Sequence, residues 1–588
     1  MKRFVTLFLA CVIVLSAFAG CGKEQTPDTT AQTTITETKA WENFQPSTAA
    51  TEETTVPYDP EYAALMQQVM DSMQNGNNHQ GGTTLDDQPG NTNQNPNTTP
   101  SAAEIKKSKF QVGYAKVDIT PSLDLKLPLI GNGDQKTRVA TGVLERLWAN
   151  CVAMTDEDGT TLILFGVDTH SISKPLLDGV RQGITKATGI DGKYVQMTAS
   201  HTHQGPPMSQ DGYGYSDGAI NLQATIEKCV QAAKDALEDR KSAVMSTAYT
   251  RAPGINHVRY YMLQDGTLLG NARQSDMAQY YHEAQTPDDL LQIVKFTRTG
   301  GKDVALVNWQ AHYRGNPSDQ YTKYSSDYMG VLRQELLTQA NCESVFLLGA
   351  SGNLTSMSSM YQLNTEAAAD YKTVGKALAT AAITAMNKAT TAKTGKITLQ
   401  SSNFYTSVNK DAHELHAFGI GEVGFVMLPI EPFQSIGMHI RDESPYKMTL
   451  IGTCANNTAS HGYVPDAQAY GAVNPYGVSK RYVQGDETKI ENQMVSMLKK
   501  CFQKAGLSKQ TKGSGYVSDT SPRTDPVTYT TTAEAPKAVK NGLYQVKLRN
   551  GTTTTTFLVK GETLANKIAS KTTVKISLDG SNVIVAVQ

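Results

Sequence analysis

The sequence predicts an α/β architecture: a large sheet-centred domain with helices packed on a mixed β-sheet, then a small C-terminal all-β module. Three observations carry this reading. Between about residues 110 and 508, apolar runs of strand length alternate with stretches of helical periodicity. The strand-like runs are apolar nearly throughout, which suits a largely buried sheet. From about residue 526 the pattern changes to four short runs, 543–548, 554–559, 573–578 and 583–587, with Asn550-Gly551 and Asp579-Gly580 supplying turn chemistry.

The strands of the large domain are expected at 161–167, 194–199, 304–309, 344–348, 423–428 and 448–453. Helices are expected at 174–188, 222–237, 328–340, 365–388 and 488–505. Within 222–237, Ile226, Val230, Ala233 and Leu237 recur at three and four residues and form one apolar face. The large domain is bounded at 109–512 and the β module at 525–588, and about 400 residues is long for a single core. The β module holds no cluster of titratable residues, so surface binding or packing on the main domain is its expected role.

The N-terminus reads as an export signal over residues 1–21. Met1-Lys2-Arg3 is followed by an apolar core at 4–19 and by Phe18-Ala19-Gly20-Cys21, the pattern of a bacterial lipoprotein. Cleavage before Cys21 and lipid attachment to that residue are expected. Residues 22–108 are rich in Thr, Gln, Asn, Pro and Ser and read as a disordered tether, with a helical pattern at 61–73 that has no partner nearby. No later stretch is long and apolar enough to span a bilayer. The expectation is an extracytoplasmic protein held to the cell membrane by its lipid.

Of seven cysteines, Cys11 leaves with the signal and Cys21 carries lipid. Cys151, Cys229, Cys342, Cys454 and Cys501 show no CxxC spacing, which excludes a thiolate zinc site and a disulfide framework. A formal net charge of -1 gives no case for nucleic acid as a partner. The oligomeric state has no signature in the sequence.

The chemistry concentrates at strand ends, where open α/β sheets build their sites. The run 194–199 delivers Ser200-His201-Thr202-His203-Gln204-Gly205-Pro206. Two histidines two apart on a strand end point to one side and can converge on one metal ion. The run 304–309 delivers His312, and 344–348 opens into Gly349-Ala350-Ser351-Gly352-Asn353-Leu354-Thr355-Ser356-Met357-Ser358. The run 423–428 leads to Glu431 between apolar neighbours, where a carboxylate is costly unless paired or bound to a cation. The run 448–453 leads to His461-Gly462-Tyr463-Val464-Pro465. Neutral imidazoles with a carboxylate suit Zn2+ with one position open to water. His170, His413 and His416 have no partner visible in the sequence and read as structural.

In these segments the chain resembles the neutral, non-lysosomal ceramidase family. Val112-Gly113-Tyr114-Ala115-Lys116-Val117-Asp118-Ile119-Thr120-Pro121 resembles its opening strand and Asp-Ile-Thr-Pro turn. Phe165-Gly166-Val167-Asp168 resembles its next core strand, and the His201–His203 segment resembles its Thr-His-Thr-His-Ser-Gly-Pro motif. Ala311-His312 with Ser325-Ser326-Asp327-Tyr328-Met329-Gly330 resembles its second histidine segment. Pro429-Ile430-Glu431 and Gly462-Tyr463-Val464-Pro465 resemble its Pro-Gly-Glu and Gly-Tyr-Val/Ile-x-x-Pro motifs. Six motifs in one order over roughly 350 residues are a specific signal.

The resemblance implies one zinc ion held by His201, His312, Glu431 and Tyr463. It implies that His203 positions or protonates a reacting group, unless it only supports its neighbours. It places a serine nucleophile at Ser358, although the family's Gly-Asp pair and following proline are absent around Asn353–Ser358. It places an anion-stabilising arginine at Arg259, shifted from the family position, with His257 as rival. The implied activity is a zinc-dependent amidase, a hydrolase cleaving an N-acylated sphingoid or similar lipid. Either Ser358 or water activated by the ion would attack the carbonyl. Two alternatives stay open: hydrolysis of another extracellular amide or ester on the same scaffold, and a non-catalytic ligand-binding surface lipoprotein.

Overall fold

The computed structural model describes residues 100–588 except 132–136, 210–217, 271–278, 314–319, 357–370, 409–411, 458–461, 514–515, 517–521 and 533. The signal at 1–21 with Cys21, the tether to residue 99 and Ser358 lie outside the described residues. The last stretch of the expected tether is helical. Ser101 caps Ala102–Lys107 by accepting from the Glu104 N–H, and the Glu104 carboxylate accepts from the Ser101 N–H. This reciprocal cap is spelled Ser-x-x-Glu in the sequence, and Ile105 gives the helix its buried contact.

The large domain uses one pattern three times. Three antiparallel strands lead into a helix, a fourth strand parallel to the third, and a second helix. The first repeat runs Gln111–Asp118, Trp148–Thr155, Thr161–Val167, Lys174–Thr188, Val195–Ala199 and Gly218–Glu238. The second runs Lys241–Arg251, Leu290–Arg298, Asp303–Trp309, Asp327–Ala340, Cys342–Leu348 and Tyr371–Met386. The third runs Ile397–Tyr405, Ala412–Ile420, Val423–Met427, Gln434–Glu443, Met448–Gly452 and Asp486–Lys504. The first two repeats join through Gln111↔Ser242 and Val112↔Lys241 into one sheet, which the short strand Thr390–Ala392 on Lys241–Arg251 brings to nine strands, and the third forms a four-stranded sheet.

The two sheets stack face to face. Val152, Met154, Leu162, Leu164 and Leu306 of the long sheet share one apolar cluster with Phe418, Ile420, Phe425 and Leu450 of the short one. The alternate residues Cys151, Ala153, Ile163, Phe165 and Val307 turn to the other face and pack with Leu177, Val180, Ala233, Leu332 and Leu378 of the helices. Ile436, Ile490, Met494 and Leu498 cover the outer face of the short sheet. The result is four layers, helix, sheet, sheet, helix, with both sheets buried on both sides. That burial is why the strands read as continuous apolar runs, and the second sheet is how so long a chain finds enough core.

Local signals end the helices where the sequence places them. Ser173 accepts from the Leu176 N–H at the start of Lys174–Thr188, and Gly189 closes it with a φ of 76°. On Asp486–Lys504, burial beside Glu487 and Asp466 pushes the Glu491 carboxyl from 4.5 up to about 7. A carboxyl raised on folding favours the folded chain only while protonated, so its contribution is lost as pH rises through this window. Glu491→Gln is expected to stabilise the protein by up to about 3 kcal/mol at pH 8 and by little at pH 4. Denaturant midpoints at both pH values check this, and equal shifts at the two would refute it.

The C-terminal module closes on itself. Arg523–Thr531 pairs with both Thr573–Leu578 and Leu543–Asn550, so the strands form a small barrel around Leu548, Val559, Ile576 and Ile584. One helix, Glu562–Ala569, is added to the strands expected from sequence. The module packs on the main domain: Leu543, Leu558 and Val583 enclose Met262, and Tyr281 and Ser581 make hydrogen bonds across the junction. Among the described residues no helix is long and apolar enough to cross a membrane.

Candidate metal centre

The three repeats meet at the carboxyl ends of their strands. Thr198 Oγ1 donates to the Thr453 carbonyl at 2.8 Å, and the Thr453 N–H donates to the Leu348 carbonyl at 2.8 Å. Thr198 also bridges Ala455. Each segment leaving this junction carries a donor group: His201 from the first repeat, His312 from the second, Glu431 and Tyr463 from the third. Each repeat supplies only part of the set.

His201 enters through a turn. The strand ends at Ala199, and His201 has a φ of 61°, a left-handed conformation uncommon outside glycine. The turn brings its N–H to the Thr169 carbonyl at 3.0 Å and its Nδ1 to the His170 carbonyl at 2.7 Å. The two-residue strand period expected for His201 and His203 therefore does not operate here. Their Nε2 atoms nevertheless approach to 3.2 Å. His312 bridges the short strand Leu354–Ser356, and its Nδ1 lies 2.8 Å from the Ser351 carbonyl and 3.1 Å from that of Leu354. Glu431 and Tyr463 are direct partners in a two-residue parallel pairing.

Carbonyl oxygens only accept, so the Nδ1 of His201 and of His312 carries the hydrogen and Nε2 is turned to the centre. Both Nε2 atoms face Glu431 Oε2, at 3.2 and 3.3 Å. Tyr463 Oη is 2.9 Å from His312 Nε2 and 2.6 Å from Tyr476 Oη. The donor atoms of His201, His312 and Glu431 all lie within 4.8 Å of one another, and all three side chains are buried. Glu431 pairs with neither Arg441 nor Arg333, which are taken by Asp288 and Asp168.

This arrangement fits a metal ion. Glu431 Oε2 is buried and has no aligned hydrogen-bond donor, although two imidazole nitrogens stand beside it. A tetrahedral zinc with bonds of about 2.0–2.1 Å places its donors roughly 3.3 Å apart. The spacings between successive donors here are 3.2, 3.3 and 2.9 Å. Backbone carbonyls that hold the far nitrogen of each imidazole are the usual way to orient metal-binding histidines.

The electrostatics divide the imidazoles. Burial lowers the His201 pKa, but Cys454 and the Glu431 carboxylate beside it outweigh this and hold it well above the ordinary histidine value. Burial raises Glu431, while the charges of His201 and His312 hold it well below the usual carboxylate range. His203 is held well below the ordinary value, by burial and then by the charge of His201, and stays neutral. Burial and Glu431 push the Tyr463 phenol well above its usual range.

His203 is held by shape. Its ring stacks on Tyr313, with centroids 3.8 Å apart, and Gly131 leaves room beside that ring. Gly131 has a φ of 108°, and a Cβ there would lie 2.3 Å from His203 Cγ. Arg259 lies with its guanidinium carbon 4.6 Å from the centre of the Tyr476 ring, and its charge is felt by His203, His312 and Tyr463. His257 is engaged with Glu283 at 3.0 Å. Ser351 contributes its carbonyl to His312. Ser358 lies outside the described residues.

Three neighbours of the centre, Tyr313, Tyr476 and Cys454, escaped the sequence reading, and a fourth, His170, is corrected from the structural role expected for it. His170 follows its strand as His312 follows the corresponding one, a signal that was available. Tyr313 adjoins His312 in the chain. Tyr476 and Cys454 carry no local signal: the first reaches Tyr463 across a loop, and the second lies with Sγ 3.4 Å from His201 Nδ1.

No family model matches the sequence, and no curated protein matches it. Solved structures do. The fold is similar to that of a ceramidase complexed with C2 and to that of the neutral ceramidase from Pseudomonas aeruginosa. Each comparison has a TM-score of 0.55 at 13% sequence identity and covers 75% of this chain and 84% of the other. The motif resemblance and the fold thus point to the same proteins: this chain has the fold of the neutral ceramidases.

Proposed function

We propose that the protein is a zinc-dependent amidase that hydrolyses the amide of an N-acylated sphingoid or similar lipid outside the cell. The observation that carries this reading is the convergence of His201 Nε2, His312 Nε2 and the donor-poor Glu431 Oε2. One zinc would be held by these three residues and Tyr463. When bound, the ion supplies a Lewis acid that polarises an acyl carbonyl and acidifies water.

The chain's own groups would do the rest. His203, a neutral imidazole, takes the proton of the attacking hydroxyl and returns it to the leaving amine as the C–N bond breaks. Arg259, stacked over Tyr476, offers fixed positive charge to the oxyanion. Ser358, two residues beyond Leu354–Ser356, is the proposed nucleophile, which would form an acyl ester that water then hydrolyses. Direct attack by water is the alternative. Export through residues 1–21 and a lipid on Cys21 would hold the enzyme on the extracytoplasmic face of the cell membrane, beside lipid substrates.

A second reading, hydrolysis of another amide or ester, is favoured by one feature. Thr355-Ser356 replaces the family's Gly-Asp pair, and this strand pairs with Asn256–Val258 just before Arg259. Purified protein assayed for zinc and against N-acyl lipids, N-acyl amino acids and esters decides between them. Zinc at one per chain, preference for the N-acyl lipid and loss of turnover in His201→Ala are expected. Preference for another amide or ester selects the second reading. Absence of zinc, or unchanged turnover in His201→Ala, overturns the zinc-dependent reading, and absence of both zinc and turnover leaves a binding protein. Ser358→Ala is expected to lose turnover while keeping zinc, and full activity would assign the attack to water.

A further inference from the structure

The three repeats place their third strands equivalently, at Thr161–Val167, Asp303–Trp309 and Val423–Met427. His312 stands three residues beyond the end of its strand and Glu431 four beyond. In the first repeat the matching residue is His170, three residues beyond Val167. Its ring centroid lies 4.3 Å from that of His201 and 4.9 Å from that of His203. The donor atoms of His170, His201 and His203 all lie within 4.8 Å of one another, a second group that overlaps the first only at His201.

Both outer imidazoles are pre-oriented. His170 Nδ1 is 2.7 Å from Ser171 Oγ, which leaves Nε2 for a ligand. His203 is held by its stacking on Tyr313, and any side chain at position 131 would collide with its ring. The group contains imidazoles without a carboxylate. Such a set suits a borderline cation such as zinc, cobalt, nickel or copper, and suits calcium or magnesium poorly.

We infer that the molecule has a second transition-metal seat, formed by His170 and His203, with His201 between it and the first. His201 has one nitrogen to give, because the other is engaged by the His170 carbonyl, so it serves one ion at a time. The second ion is held by two imidazoles and solvent and binds more weakly than the first. It also takes the lone pair of His203, so its binding slows turnover. The inference rests on the zinc reading for the occupant of the first seat.

Calorimetric titration of the purified full chain with zinc chloride alone, with zinc content measured after desalting, tests it. Two steps are expected, the second at least about tenfold weaker, a gap of about 1.4 kcal/mol. His170→Asn and His203→Asn each remove the second step and keep the first, and Glu431→Gln removes the first. Wild-type heat capacity scans alongside show that each variant is folded. A single step of one ion per chain overturns this inference and leaves the zinc reading standing. No zinc uptake at all overturns both. A second step that survives both asparagine variants overturns the assignment to His170 and His203.

Discussion

Glu431→Gln is expected to lose more than about 100-fold in amide hydrolysis and nearly all zinc while remaining folded. Replacing a residue that only orients a metal ligand costs 10–100-fold, and Glu431 is placed to be a ligand itself. Its Oε2 is the atom that both Nε2 nitrogens face, and the side chain is 10% exposed. Glutamine keeps the volume and removes the charge, so the loss separates electrostatics from packing. In the metal-free protein the change also withdraws the group that, with Cys454, holds the His201 pKa up against burial. His201 then sheds its proton as pH rises through a lower value. Zinc analysis and kcat/KM check the first part, and NMR titration of the His201 ring checks the second. A variant that keeps one zinc and wild-type turnover would remove Glu431 from the site.

Asp288→Ala is expected to destabilise the chain by about 3–5 kcal/mol, the usual result of stripping one partner from a buried ion pair. Arg441 Nη1 and Nη2 meet Asp288 at 2.9 and 3.1 Å, and both residues are 2% exposed or less. Arg441 lies on the helix Gln434–Glu443 of the third repeat, and Asp288 leads into Leu290–Arg298 of the second. The Asp288 carbonyl also accepts from Asn256 and Gln310, so this residue ties the segment before Arg259 to the strand that delivers His312. Alanine takes from the buried guanidinium the carboxylate that meets two of its nitrogens. The pair Asp288→Leu with Arg441→Met removes both charges and is expected to recover most of the loss, because desolvation offsets much of what a buried pair contributes. Denaturant midpoints of the three variants check this. A cost under about 1 kcal/mol for Asp288→Ala would show that the pair is solvated.

The sequence made the elements nearest the core legible. The runs 161–167, 304–309, 344–348 and 448–453 fall on strands whose residues are apolar toward both neighbouring layers. Lys174–Thr188 could be read from its periodicity and caps. Lys241–Arg251, Leu290–Arg298 and Ala412–Ile420 were not read as strands, because they carry Ser246, Gln292 and His416 at buried positions. Those residues are satisfied only across the fold. Gln292 donates to Asn308, and Asn308 donates to the Ile451 carbonyl of the other sheet. A polar residue whose partner lies 16 or 143 positions away looks like a surface residue in a one-dimensional reading.

By itself the sequence determined which residue types are available at the strand ends, His201, His203, His312, Glu431 and Tyr463, and the family they resemble. It also determined the short-range signals, because caps, turns and periodicities act within a few residues. The tertiary structure decided that three repeats stack as two sheets, that a left-handed turn aims His201, and that carbonyls of His170, Ser351 and Leu354 orient the imidazoles. It also brought His170, Tyr476 and Cys454 to the centre. These are matters of long-range packing: the donors come from three separate repeats, and only the meeting of their strand ends brings these charges and lone pairs within reach of one another.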